Sequence, residues 1–286
     1  MRIEGESEST NVEDRRGNSG GGMIPGGRKG AGIGTIVIAM VAAYFFGINP
    51  MTVLGILGGG GGESPMQSAP VAANTNDPQT RFIKVVLAET EQVWGAVFKE
   101  QGKTYPAPKL VLFTGQTPTA CGTGDTASGP FYCPGDQKVY IDLRFYQMLK
   151  DRFKAPGDFA QAYVVAHEVG HHVQNVLGVM DQLEKAKQRN PKAANALSVR
   201  LELQADCFAG IWAKRTQITK NNLEPGDLEE ALTAAAAVGD DRLQQQSTGT
   251  VRPETFTHGS SQQRMKWFKR GFGSGSLSSC NTFAGA

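Results

Sequence analysis

The chain has 286 residues, 29 Lys plus Arg against 27 Asp plus Glu, and a formal net charge of +2. That length accommodates one or two domains with a sizeable core, and the near-balance of charge gives no basic field to attract nucleic acid. Hydrophobic residues make up 40%, too many for a wholly disordered chain and too few for a multi-span membrane protein.

Composition is uneven along the chain. Seventeen of the 36 glycines precede residue 63, and three of the four histidines fall between His167 and His172. Residues 1–30 combine Gly runs, mixed charge and no apolar periodicity, which predicts a disordered cytoplasmic head. Residues 31–57 carry no charged side chain. A helix needs roughly 20 apolar residues to cross a bilayer, so this stretch is predicted to be a single transmembrane signal anchor in contact with lipid. Arg15, Arg16, Arg28 and Lys29 precede it, and no Lys or Arg follows until Arg81. The positive-inside rule therefore places the N-terminus in the cytoplasm and the rest across the membrane. Residues 58–80 read as a flexible linker, and a globular domain occupies 81–286.

Within that domain, Phe82, Val85, Val86, Val93, Trp94 and Val97 mark an amphipathic helix over 81–101. Lys109–Phe113 and Lys138–Leu143 are short β-rich runs around a Gly/Thr/Ser-rich loop. Pro156-Gly157-Asp158 offers a helix start with Asp158 as N-cap, and Gly178 offers its stop. Asn190 as N-cap and Pro191 as first helical residue predict a second helix, running to about Lys214. Glu224–Gln246 and Gln262–Arg270 predict a third and a fourth. The fold class is α+β: mostly helical, with a small sheet before the His-bearing helix.

That helix carries His167-Glu168-Val169-Gly170-His171. At ~3.6 residues per turn the two histidines stack on one face, close enough to share one ion. Neutral imidazole suits Zn²⁺. Glu168 lies about 100° further round the helix, placed to take a proton from a water on the metal rather than to ligate. His172 points away from His171 and reads as a neighbour rather than a ligand. Two histidines leave a catalytic zinc one protein ligand short. Glu202 and Asp206, four apart on the second long helix, supply candidates: Glu202 as third ligand and Asp206 as the carboxylate that orients a ligating imidazole. His258 is the rival third ligand.

Four cysteines, all beyond the apolar stretch, predict two disulfides in an oxidising compartment. Cys121 and Cys133 bracket one loop and pair, which leaves Cys207 with Cys280. The second bridge closes a loop of about 73 residues, worth about 4 kcal/mol in the chain-entropy model, and ties the C-terminal tail to the helix of Glu202 and Asp206.

His167–His171 with Glu202-x-x-x-Asp206 resembles the gluzincin zinc metallopeptidases. More closely, the chain resembles a bacterial, membrane-anchored family of neutral zinc metallopeptidases. The resemblance lies in Gly129–Pro134, Val139–Asp142, Ala155–Ala162, Ala166–Gln174, Leu201–Gly210 and Phe256–Ser261, together with the Gly-rich head and apolar anchor. It implies a gluzincin-like domain with zinc held by His167, His171 and Glu202, Glu168 as general base and Asp206 behind the ligands. Thr257-His258-Gly259 with Arg264 resembles the Thr-His-Pro…Arg segment of integral-membrane gluzincins, which implies that His258 or Arg264 donates to the oxyanion. The gluzincin fold also implies that Lys138–Leu143 is an edge strand pairing with substrate backbone.

The expected function is thus a zinc endopeptidase of the bacterial inner membrane, single-pass, with its domain periplasmic or extracellular and a peptide or protein as substrate. No protein partner is identifiable. Two other classes fit the same motif: a non-catalytic peptide-binding or chaperone-like module, and a zinc hydrolase of a non-peptide amide.

Overall fold

The computed structural model describes residues 1–17 and 77–284. The expected anchor at 31–57, and the linker as far as residue 76, lie outside the described residues. Among those described, no helix is long and apolar enough to cross a membrane.

Six short strands are described: β1 (Val12–Asp14), β2 (Lys109–Phe113), β3 (Gln116–Thr119), β4 (Gly122–Asp125), β5 (Phe131–Cys133) and β6 (Lys138–Asp142). Four form one sheet in the order β1-β2-β6-β5, with β1, β2 and β6 parallel and β5 antiparallel to β6. β3 and β4 form a separate hairpin. Eight α-helices are described: α1 (Pro78–Glu100), α2 (Arg144–Asp151), α3 (Asp158–Val176), α4 (Val179–Arg189), α5 (Ala194–Lys220), α6 (Asp227–Ala237), α7 (Asp240–Thr248) and α8 (Ser261–Ser274). The mostly helical α+β class and the small sheet ahead of the His-bearing helix are as predicted.

Four expectations are corrected. Residues 1–17 are no disordered head. Val12–Asp14 extends the sheet beside Leu110–Leu112, and Ile3 and Val12 pack on the core. The Gly-rich composition that suggested disorder belongs to the residues that follow. Lys138–Leu143 is no edge strand either, because β6 lies between β2 and β5. The edge on the side of α3 is β5, too short to show a period in sequence. At the start of α3 the N-cap is Gly157, not Asp158, and Asp158 is the first helical residue. The predicted helix over Glu224–Gln246 is two helices, α6 and α7, broken at Gly239. A Cβ there would lie 2.4 Å from the backbone nitrogen of Ser261, so glycine admits the start of α8 into the break.

The core lies between the sheet and α1, α3 and α5. α1 begins earlier than predicted because Asp77-Pro78, read as linker, is a helix start: Asp77 accepts from the Thr80 N–H at 2.8 Å. It buries Ile83, Val86, Leu87 and Trp94, the last edge-on to Phe208 of α5 with ring centroids 5.4 Å apart.

One buried acid stands inside this packing. Glu89 of α1 is 1% exposed, and Asn222 donates to its Oε1 at 2.7 Å. Burial raises its pKa to about 7, Glu6 adds to that, and Lys220 opposes it. Glu89 Oε2 has no hydrogen-bond partner among the described residues. The folded pKa exceeds the unfolded one, so this stability is present below pH ~4.5 and lost as pH rises through ~7, at about 1.4 kcal/mol per pH unit. Glu89→Gln keeps the shape and removes the titration. Thermal denaturation of the two proteins should show the variant gaining on wild type as pH rises across that window.

Candidate metal centre

The metal motif sits where α3 crosses α5. Gly170 permits the crossing, since a Cβ there would lie 3.1 Å from the carbonyl oxygen of Ala205 and 3.2 Å from its Cα. This contact brings one face of α3 against the turn holding Glu202 and Asp206. Gly170→Val forces the helices apart. Overpacking of this kind costs about 1–3 kcal/mol, and the variant should lose zinc affinity in a competition titration with a chromogenic chelator while its circular dichroism stays helical.

At the crossing, His167 Nε2 is 3.2 Å from Glu202 Oε2, and His171 Nε2 is 3.5 Å from Glu202 Oε1. The potential ligand atoms of the three residues all lie within 4.8 Å of one another. Tetrahedral zinc with bonds near 2.1 Å holds its ligand atoms about 3.4 Å apart, so the spacing fits. The ring nitrogens on the other side are engaged. His167 Nδ1 meets Asp206 Oδ1 at 2.9 Å, and His171 Nδ1 meets Gln174 Oε1 at 2.8 Å. With each Nδ1–H donated to its partner, loss of the Nε2 protons would leave both Nε2 lone pairs facing Glu202, the tautomer that ligation requires. His258 is outside this group.

Each group is tuned by its neighbours. Burial works against ionisation of Glu202, but the charge of His171 and hydrogen bonds from His167 and His171 hold its carboxyl well below the usual range. Burial lowers the His167 pKa, but Asp206 outweighs it and raises the group to about 9. Metal binding must therefore displace a proton from His167. Burial pushes the Glu168 carboxyl up, against the pull of His171 and His167. A general base works best with its pKa moved toward the operating pH.

Asp206 is fully buried and has three partners. Tyr163 donates its hydroxyl, and Arg264 donates Nε at 2.8 Å and Nη2 at 3.0 Å. Burial opposes its charge, and Arg264 and His167 restore it. Arg264 also donates to the Val238 carbonyl at 3.3 Å and to the Tyr163 hydroxyl at 3.2 Å, and its Nη2 lies 3.4 Å from both ring nitrogens of His167.

His172 has a role that sequence left unassigned. It is 1% exposed, meets the Pro106 carbonyl through Nε2 at 2.6 Å, and meets the Tyr132 hydroxyl through Nδ1 at 3.1 Å. It fastens α3 to β5 and to the loop after α1.

His258 lies on the loop between α7 and α8 with its side chain 47% exposed. Asp240 organises that loop. Its Oδ2 accepts the backbone N–H groups of Thr257, His258 and Gly259 at 2.8, 2.6 and 2.9 Å, and its Oδ1 lies 3.2 Å from His258 Nδ1. Burial lowers the His258 pKa, but the Asp240 hydrogen bond and the charge of Glu202 leave it raised.

Both predicted disulfides are present, Cys121–Cys133 and Cys207–Cys280. The second holds the tail against α5 beside Asp206. From the tail a hydrogen-bond chain runs to a candidate ligand. Gln204 donates to the Cys280 carbonyl at 3.0 Å, Gln174 donates to Gln204 Oε1 at 3.1 Å, and Gln174 Oε1 faces His171 Nδ1. Sequence reasoning missed Gln174, Gln204 and Tyr163. Only the position of Gln174, three residues after His171 on the same helix, hinted at a contact.

A family model described as "Putative neutral zinc metallopeptidase" matches residues 1–283. The chain is 51% identical over 288 residues to the "Uncharacterized protein YpfJ" of Escherichia coli strain K12, covering 99% of both chains. It is 45% identical over 222 residues to the "Uncharacterized protein Rv2575" of Mycobacterium tuberculosis strain H37Rv, covering 74% of both. No solved structure matches the chain significantly.

Proposed function

The chain belongs to the "putative neutral zinc metallopeptidase" family, and from that premise we propose that it is a zinc-dependent endopeptidase with a gluzincin-like site. The observation that carries this reading is the convergence of His167, His171 and Glu202 with both Nε2 atoms turned toward the carboxylate. Those three residues would hold the ion, and zinc bound there would supply a Lewis acid for the scissile carbonyl and lower the pKa of a water toward ~7. Glu168, beside His167 and largely buried, would accept a proton from the attacking water and return it to the leaving amine. Asp206 fixes the His167 ring, and Arg264 supplies the counter-charge that keeps Asp206 ionised.

His258 is the candidate oxyanion donor. Its ring is held by Asp240, it is half open to solvent, and its raised pKa favours the donating form. His258→Ala should lower kcat about 10²-fold or more with little change in KM, as for loss of one oxyanion donor. Steady-state kinetics on one cleaved peptide checks this. The free edge of β5, tied to α3 through Tyr132 and His172, is the proposed place for an extended substrate to pair.

We place the domain outside the cytoplasm of a bacterium, at the inner membrane, because two disulfides persist in an oxidising compartment. Residues 31–57 are the proposed bilayer contact. Incubation of the full chain with a peptide library tests the activity. New termini detected by mass spectrometry are expected, and intact binding without cleavage would favour a peptide-binding module instead.

A further inference from the structure

Residues 1–17 and 77 onward are held together by more than one kind of contact. In the sheet, Leu110 N–H donates to the Asn11 carbonyl at 2.9 Å and Arg15 N–H to the Leu112 carbonyl at 2.8 Å. Ser9 and Asn11 both donate to Glu91 of α1, at 2.7 and 2.8 Å. Glu8 pairs with Arg81 and Lys84 at 3.5 and 3.4 Å, and Glu13 with Lys138 at 2.9 Å. Ile3 and Val12 add apolar contact with the core. At the end of the segment, Arg16 Nη1 lies 3.2 Å from Asp77 Oδ2, on the residue that caps α1.

We infer that residues 1–17 are an integral part of the metal domain and lie on the same side of the membrane as it does. The decisive magnitude is the Arg16–Asp77 contact, since a hydrocarbon layer about 30 Å thick cannot pass between two residues in an ion pair. Arg16 and Asp77 therefore stand on one side of any bilayer. This revises the single crossing with a cytoplasmic N-terminus that the charges flanking 31–57 predict. It also explains why those charges mislead. Arg15 pairs with Glu13 at 2.8 Å and Arg16 with Asp14 at 2.6 Å, so at least two of the five basic residues ahead of the apolar stretch are used in the fold. The inference is independent of the metal chemistry.

Two exposed positions report it, Ser7 on the N-terminal segment and Ser247 on α7. Among the described residues all cysteines are in disulfides, so Ser7→Cys and Ser247→Cys each add one free thiol to the full chain. Intact bacterial spheroplasts are treated with a membrane-impermeant maleimide, and lysed ones serve as control. Equal labelling of both thiols in intact spheroplasts is expected. Protection of both until lysis also supports the inference, while overturning the placement of the domain outside the cytoplasm. Labelling of Ser247→Cys with protection of Ser7→Cys, or the reverse, would overturn the inference.

Discussion

Glu168→Gln is expected to lower peptide hydrolysis by about 10²–10⁴-fold, the usual contribution of a positioned general base. The amide has the size of the carboxylate but cannot accept the proton of the attacking water. Zinc content should not fall, because Glu168 is outside the group formed by His167, His171 and Glu202. Stability should hold or rise slightly, since burial already works against the charged form of Glu168 and the neutral amide avoids that cost. A variant that cleaves as fast as wild type would remove Glu168 from the mechanism. A variant that loses both activity and metal would make it a ligand.

Asp206→Ala should produce the largest loss of stability. The change leaves the Arg264 guanidinium, 3% exposed, without its counter-charge, and it frees the Tyr163 hydroxyl and the His167 ring. Breaking one side of a buried ion pair costs about 3–5 kcal/mol. Loss of a carboxylate behind a metal-ligating histidine typically costs 10–100-fold in metal affinity. Thermal denaturation and a zinc competition titration measure the two effects separately. Asp206→Ala combined with Arg264→Met should recover part of the stability, because no charge is then stranded, yet none of the metal affinity. Equal stability of the single and double variants would mean that the cost lies in packing rather than in the unpaired charge.

The centre of the site was legible because its signals are local. His167 and His171 share a face through helix periodicity alone, and Glu202 and Asp206 do the same on α5. The cysteines were legible because only a few pairings exist and one spacing brackets a loop. What sequence did not reveal depends on contacts between distant segments. Tyr163, Gln174 and Gln204 are ordinary residue types whose meaning comes from the α3–α5 crossing and the docked tail. The break at Gly239 depends on Ser261 arriving from α8, while the Ala- and Leu-rich run around it reads as one helix. β1 and β5 have three residues each, too few for a period. β1 is polar as well, and its partner β2 lies nearly a hundred residues away. That is why the N-terminal segment reads as disordered from sequence and β6 reads as the edge strand.

His167, His171 and Glu202 are proposed to hold one zinc, and Glu168 to turn it to hydrolysis. The most direct measurement titrates zinc into chelator-stripped wild type and Glu168→Gln while peptide cleavage is followed. One zinc bound per chain is expected in both proteins, with cleavage returning in step with occupancy in the wild type alone. Cleavage by the stripped wild type, or cleavage by Glu168→Gln that also recovers with zinc, would contradict it.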